Sequence, residues 1–273
     1  MRSALMRCHD CRHQVSVTAG TIFQDTHIPL PLWFQAMWWV SRQKNGARAL
    51  GLQHILGLSR YETAWTMLHR LRRAMARPGS DLLTGRVEVD ECYLGGSEED
   101  LPGSLNLDKT LVVVAAQVDL QGIGKVRMRR IPDASAASLM PFIQESVAPE
   151  CVVHTDGWLG YSPLKSKGFA HRITLFKGRE DADSEMLPRV HLVIAQLKRW
   201  LMGTHQGAVG NKHLDYYLDE FTFGFNRRKS RSRGKLFFGL AQQAVAVDPV
   251  THYQIVHPDN EAYGSKTTSL GVF

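Results

Sequence analysis

The order of predicted elements after about residue 85 limits most narrowly what this chain can fold into. In chain order, the hydrophobic patterns indicate strands at 86–93, 109–119 and 124–131, a helix over 134–147 and a fourth strand at 151–156. Three sequential strands, a crossover helix and a returning strand predict an α/β fold, in which a mixed sheet is flanked by helices. Ile173 and Leu175 suggest a short fifth strand, and helical patterns follow over 186–202 and 211–227.

The first predicted strand contains carboxylates where a buried strand would carry apolar side chains. In VEVDECYLGG, residues 87–96, alternation places Glu88 and Asp90 on the same strand face. Asp156 directly follows the fourth strand, in VVHTDGWLGY. Because the first and fourth strands are commonly neighbours in this element order, we expect Asp90 and Asp156 to meet at one sheet edge.

A third carboxylate is expected from a later helix packed over that edge, and Glu220 in the predicted 211–227 helix is the candidate. Three converging acids require cations, because the carboxylates would otherwise repel one another. Their oxygen donors favour two Mg²⁺ or Mn²⁺ ions, which would support in-line displacement at phosphorus. Each acid also has an ordinary alternative: an edge-strand charge for Asp90, an Asx turn for Asp156, and a solvated helix position for Glu220.

Positive charge is concentrated in the N-terminal part of the chain. The first 80 residues contain 11 Lys and Arg but 3 Asp and Glu, while the 273-residue chain has a formal net charge of +7. This asymmetry indicates a partner with a phosphate backbone, and a solvated basic helix without a partner is the alternative. No apolar run approaches the roughly 20 residues of a membrane span, so we expect a cytoplasmic, nucleoid-associated protein without membrane contact.

Residues 29–80 have the pattern of a helical DNA-binding region. After an aromatic-rich helix over 29–43, two helices are separated by Gly57, and Ser59 and Glu62 predict a capping box at the second start. The second helix supplies three candidate DNA-binding residues, Arg70, Arg72 and Arg73. A helical hairpin with solvated arginines is the alternative.

The Pro, Gly and Ser of RPGSDLLTG predict a domain boundary, so residues 81–247 form the next domain and 248–273 a tail.

The four cysteines fall into two classes. Cys8 and Cys11 form a C-x-x-C pair, which is half of a zinc ribbon within residues 1–28. Because structural zinc needs four ligands, Zn²⁺ binding by this segment stays an open alternative. Cys92 and Cys151 lie in predicted core strands and are expected to be packed thiols in a reducing compartment.

A second basic segment, RRKSRSRGK at 227–235, predicts a track for a DNA backbone, although a solvated loop would look the same. The further DNA-binding candidates are Lys198, Arg199, Arg227, Arg228, Lys229, Arg231 and Arg233. Weaker candidates near the predicted acids are Trp158, His154, His191 and His205, for which core packing or a structural histidine is the simpler interpretation.

Five stretches together resemble transposases of the IS1595 family, particularly the ISXO2-like group. They are CRHQVSVTAGTIFQDTHIPLPLWFQAMWW, VEVDECYLGG, VVHTDGWLGYSPL, LKRWLMGTHQGAV and KHLDYYLDEFTFGFNRR. The resemblance implies a zinc-ribbon and helix-turn-helix region followed by an RNase H-like DDE domain. That domain would cut transposon inverted repeats and join them to target DNA with Mg²⁺, as a homo-oligomer. By position, the family's catalytic triad falls on Asp90, Asp156 and Glu220.

The resemblance is interrupted at Gly224, four positions after Glu220, where the family usually carries an arginine. Asn226 is a minority alternative to Glu220, since some relatives use Asn as the third metal ligand. Two rival functions follow. One is a catalytically impaired relative that binds inverted repeats as a repressor, and the other is an RNase H-like host nuclease.

Overall fold

The chain divides into two compact units. The computed structural model describes residues 5–76, 82–95, 109–120, 122–174, 187–205 and 209–257. The first unit comprises residues 1–78 and 229–273, and the second comprises residues 79–228. This division differs from the predicted domain end at 247, because the segment after residue 228 returns to the first unit.

The described part of the first unit contains a short hairpin and five helices. Its elements are β1 (Leu5–Arg7), β2 (Gln14–Ser16), α1 (Leu30–Arg42), α2 (Ala49–Leu56), α3 (Tyr61–Met75), α7 (Arg233–Ala246) and α8 (His252–Val256). The two C-terminal helices are hydrogen-bonded to the N-terminal part of this unit. Ile22 N donates to the Ala244 carbonyl at 3.2 Å, and Thr66 Oγ1 lies 2.8 Å from His252 Nδ1.

Helices α2 and α3 lie where the sequence predicts two helices separated by a turn. Gly57 closes α2 with φ of 62°, a left-handed conformation that glycine adopts readily. The predicted capping box is absent, because α3 begins after Arg60 and its N-cap makes no side-chain hydrogen bond. The DNA-binding role of this region stays a prediction.

A five-stranded mixed sheet organises the second unit, as predicted. Its strands are β3 (Arg86–Leu94), β4 (Thr110–Asp119), β5 (Gly122–Arg130), β6 (Val152–Thr155) and β7 (Ala170–Ile173). They lie in the order β5-β4-β3-β6-β7; β3 pairs antiparallel with β4 and parallel with β6. The expected neighbourhood of the first and fourth strands is confirmed. Leu175, predicted in the fifth strand, lies outside the described residues.

Helices pack on both faces of this sheet. One face contacts α4 (Ala136–Ser146) and a 3₁₀ helix (Leu159–Lys167), and the other contacts α5 (Pro188–His205) and α6 (Leu214–Asn226). The central strand β4 is therefore buried on both sides, which explains its unbroken apolar run. Each fully buried valine of this strand contributes roughly 1.5–3 kcal/mol of transfer free energy. None of the described helices combines the length and the apolarity of a membrane span.

Candidate active site

Asp90 lies on β3, and Asp156 directly follows the adjacent parallel strand β6. The register pairs Arg86 with Val152 and Glu88 with His154. Continuing this register by two residues brings Asp156 opposite Asp90, and neighbouring strands are about 4.8 Å apart. Asp90 lies on the sheet face that carries α5, where it contacts His191 of that helix.

Helix α5 is anchored over β3 by Glu88. This side chain is only 2% exposed, and its Oε2 accepts hydrogen bonds from Arg189 N at 2.7 Å and Val190 N at 3.0 Å. A carboxylate at a helix N-terminus satisfies donors that have no partner within the helix and interacts favourably with the helix dipole. Glu88 therefore fixes where the first turn of α5 lies relative to Asp90.

His191, in that first turn, lies beside Asp90. Its Nε2 is 3.1 Å from Asp90 Oδ2, and the two side chains are 40% and 19% exposed. The sequence alone favours a structural role for this histidine. Its position near the start of a helix that follows the last strand is the available signal, but only the packing of α5 on β3 identifies its partner.

Asp156 begins a turn directly after β6. Its Oδ1 accepts a hydrogen bond from Trp158 N at 3.0 Å, and Gly157 between them has φ of 90°. The Asx turn considered as an alternative to a site role is thus present, and the Asp156 side chain remains partly exposed. A turn of this kind orients the carboxylate without enclosing it.

The two aspartates act electrostatically on the same neighbouring pair, Glu91 and Tyr161. Burial raises the pKa of Glu91, and the negative charges of Asp90 and Asp156 raise it further. The Tyr161 pKa is raised well above its usual value, first by burial and then by Glu91, Asp90 and Asp156. Both aspartates are therefore near enough to Glu91 and Tyr161 to act on them electrostatically.

The predicted third ligand, Glu220, is a buried side chain. It is 7% exposed on α6, which packs along β5, and β4 separates β5 from β3. Within the described ranges, no group of three or more His, Cys, Asp or Glu side chains is arranged to hold a metal ion. The convergence of Asp90, Asp156 and Glu220 on a metal ion stays a prediction.

The alternative third ligand, Asn226, is engaged elsewhere. Its Oδ1 accepts from Val126 N at 2.7 Å, and its Nδ2 donates to the Val126 carbonyl at 3.0 Å. Both polar atoms of the amide thus extend the backbone hydrogen bonding of β5. Asn226 fastens α6 to the sheet edge instead of facing the aspartates.

Two of the α3 arginines serve the first unit internally. Arg72 is 2% exposed and donates to the Ala47 carbonyl at 2.9 Å. Arg70 Nη1 donates to the carbonyls of Ile22 and Gln24, each at 3.2 Å. The predicted DNA contact by Arg72 is therefore corrected to a structural role, since its guanidinium is enclosed. Arg70 is partly buried and similarly occupied, and Arg73 is partly buried.

The second basic segment is divided between structure and surface. Arg227 lies 3.9 Å from the Phe223 ring centre and Arg228 lies 4.0 Å from that of Phe225, and both donate to backbone carbonyls. These two arginines cap the C-terminal end of α6 by satisfying its carbonyl groups. The predicted DNA-binding residues with exposed side chains are Lys198, Arg199, Arg228, Lys229 and Arg231, and Arg233 is partly exposed.

Cys8 and Cys11 are exposed in the turn between β1 and β2. The pKa of the Cys8 thiol is lowered, first by a hydrogen bond from the Cys11 backbone. A thiolate at this position suits a soft metal, but zinc binding stays a prediction. Cys92 and Cys151 are buried, as predicted.

Comparison with known proteins gives relatives among mobile elements. A family model described as an ISXO2-like transposase domain matches residues 82–226. An uncharacterized protein in transposable element ISH50 of Halobacterium salinarum is 26% identical over 244 residues, which is 84% of this chain and 80% of that protein.

Two solved structures of Mos1 also match. The strand transfer complex has 13% identity and a TM-score of 0.31, with 85% of this chain and 79% of that chain covered. The pre-cleavage transpososome has 11% identity and a TM-score of 0.32, with 85% and 80% covered.

The strand order β5-β4-β3-β6-β7, with β3 antiparallel to β4 and parallel to β6, defines an RNase H-like domain. The matched family model extends over more than half of the 273 residues. The chain belongs to the ISXO2-like transposases of the IS1595 family.

Proposed function

We propose that this protein is a DDE-type transposase that cuts transposon ends and joins them to target DNA by metal-dependent phosphoryl transfer. The observation that carries the proposal is the parallel pairing of β3 and β6, since Asp90 lies on β3 and Asp156 directly follows β6. Two carboxylates in this arrangement suit Mg²⁺ or Mn²⁺, which prefer oxygen ligands. When bound, such a pair of ions supplies an activated oxygen nucleophile and stabilises the leaving oxygen.

We propose that His191 supports this metal site through its contact with Asp90. It lies 3.1 Å from Asp90, whereas Glu220 is on a helix that packs along β5. A neutral imidazole can ligate Mn²⁺ or hold Asp90 in its ligating orientation. The family resemblance, which places the third ligand at Glu220, is the competing assignment.

The partner we propose is DNA, in the form of inverted-repeat ends and a target duplex bound by a homo-oligomer in the nucleoid. Net charge of +7 favours a polyphosphate partner. The exposed side chains of Lys198, Arg199, Lys229 and Arg231 are available for backbone contacts. The Halobacterium relative comes from a transposable element, which agrees with this partner.

The direct test is cleavage and joining of duplexes that carry the short inverted repeats flanking the gene. We expect Mg²⁺-dependent nicks at the repeat ends, and Asp90→Ala should abolish them while DNA binding persists. Loss of one catalytic metal ligand should lower the rate by at least about 100-fold, the scale of a lost transition-state interaction. Asp248→Ala, at an exposed position of the first unit, is the matched control.

The role of His191 is tested by Mn²⁺ affinity of the full-length protein, measured by electron paramagnetic resonance. We expect His191→Gln to weaken binding by roughly 10- to 100-fold, the usual effect of losing a group that supports a metal site. Glu220→Gln should leave the affinity unchanged. The reverse result would assign the third position to Glu220.

A catalytically impaired, repeat-binding relative is the second candidate. It is favoured by the observation that the described residues contain no complete three-ligand cluster. The wild-type protein would then bind repeat ends tightly without nicking them at any Mg²⁺ or Mn²⁺ concentration. Cleavage without preference for repeat ends would instead indicate a host nuclease.

A further inference from the structure

We infer that the hydrogen bond between Tyr161 and Glu91 positions Asp156 beside Asp90. This inference rests on the proposed function, because it takes the two aspartates as the metal pair. Each partner is close in sequence to one aspartate: Glu91 follows Asp90 on β3, and Tyr161 lies in the 3₁₀ helix that follows Asp156. The bond therefore joins the two chain segments that must be held at a fixed separation.

Asp156 needs such support because it lies beyond the paired part of its strand. Strand β6 ends at Thr155, so the ladder of backbone hydrogen bonds does not include Asp156. The following segment is held by side chains instead. Trp158 N donates to Asp156 Oδ1, and Trp158 Nε1 donates to the Ala134 carbonyl at 2.7 Å.

Close packing brings Tyr161 into the core directly after this segment. A Cβ added to Gly160 would lie 2.3 Å from the Ala134 carbonyl oxygen, so only glycine allows the approach. The Tyr161 side chain is fully buried, and its hydroxyl donates to Glu91 Oε2 at 2.5 Å. Because the ring is buried and its hydroxyl is hydrogen-bonded, this end of the segment has little freedom.

Glu91 is an unexpected residue on its strand face. The neighbouring side chains on that face, Val87 and Val89, are fully buried in an apolar cluster. Burying a carboxylate costs free energy that an apolar side chain would not, unless a hydrogen bond offsets it. The hydroxyl of Tyr161 provides that bond, so the pair is better explained by positioning than by core packing.

The test is Mn²⁺ affinity in full-length variants, together with thermal unfolding. We expect Tyr161→Phe and Glu91→Ala to weaken Mn²⁺ binding on the order of tenfold. Glu91→Gln keeps an acceptor for the hydroxyl and should retain near wild-type affinity. Tyr93→Phe removes a hydroxyl from an exposed position on the same strand and serves as the control.

The outcomes separate this inference from the proposed function. If Asp90→Ala abolishes Mn²⁺ binding while both Tyr161→Phe and Glu91→Ala bind normally, the positioning role is wrong and the metal site stands. If Asp90→Ala binds Mn²⁺ like the wild type, the proposed function itself fails. Should Tyr161→Phe not fold, the comparison of Glu91→Ala with Glu91→Gln decides: equal affinities overturn the positioning role.

Discussion

Gly224 lies on an exposed turn of α6, where an added Cβ would meet no atom within 4 Å among the described residues. The arginine usual in the family at this position would therefore fit without a steric clash. Its absence removes a positive charge one helical turn after Glu220, a spacing at which side chains on one helix face interact. The departure thus changes local charge and helix propensity without being required by packing.

We expect Gly224→Ala to stabilise the protein by about 0.5–1 kcal/mol, because glycine costs more backbone entropy in a helix than alanine. Urea unfolding followed by circular dichroism would measure this change. Gly203 offers the matched control, since it lies in α5 and likewise has open space for a Cβ. A destabilised Gly224→Ala variant would show that the turn contacts another part of the chain.

The contact between Glu88 and the first turn of α5 links two elements that are 101 residues apart in the sequence. Because this helix supplies His191, the contact determines which side chain stands over Asp90. A buried carboxylate that accepts two backbone N–H donors is also expensive to lose, since both donors would remain without a partner.

Replacing Glu88 with alanine should therefore destabilise the second unit by about 2–4 kcal/mol, the combined effect of charged hydrogen bonds and a buried gap. Glu88→Gln retains a carbonyl acceptor and should lose less. Chemical denaturation monitored at α5, for example by Trp200 fluorescence, would measure both. Equal losses would mean that packing volume, and not hydrogen bonding, holds the helix.

The strands were predictable from sequence, and the position of the later helices was not. Alternation in β3 and the apolar run of β4 are local patterns, and a parallel return strand has few places to pair. Thus the neighbourhood of the strand that carries Asp90 and the strand that Asp156 follows could be predicted. The helix that carries Glu220 packs along β5 through Asn226 and Val126, a long-range contact that no local pattern specifies. For the same reason, the contact of His191 with Asp90 and the burial of Arg72 could not be predicted from local patterns. The sequence context of Arg72 resembles that of a DNA-facing arginine.

At the scale of the whole molecule, the basic surface should govern how DNA affinity responds to salt. Replacing Lys198 and Arg199 with alanine should lower the slope of log K against log salt by about 0.9 for each phosphate that is no longer neutralised. Fluorescence anisotropy at several salt concentrations would give this slope. Lys167→Ala, exposed on the 3₁₀ helix of the same unit, is the control. Identical slopes for all three proteins would contradict the predicted DNA-binding role of Lys198 and Arg199.

The return of residues 229–257 to the first unit has a consequence for shortened forms of the protein. A premature stop or frameshift after residue 228 would leave the sequence of the second unit complete. It would nevertheless remove α7 and α8, including the Ala244 carbonyl that Ile22 contacts and the His252 ring beside Thr66. A truncation at the C-terminus would thus remove contacts from the N-terminal part of the protein, which is translated first.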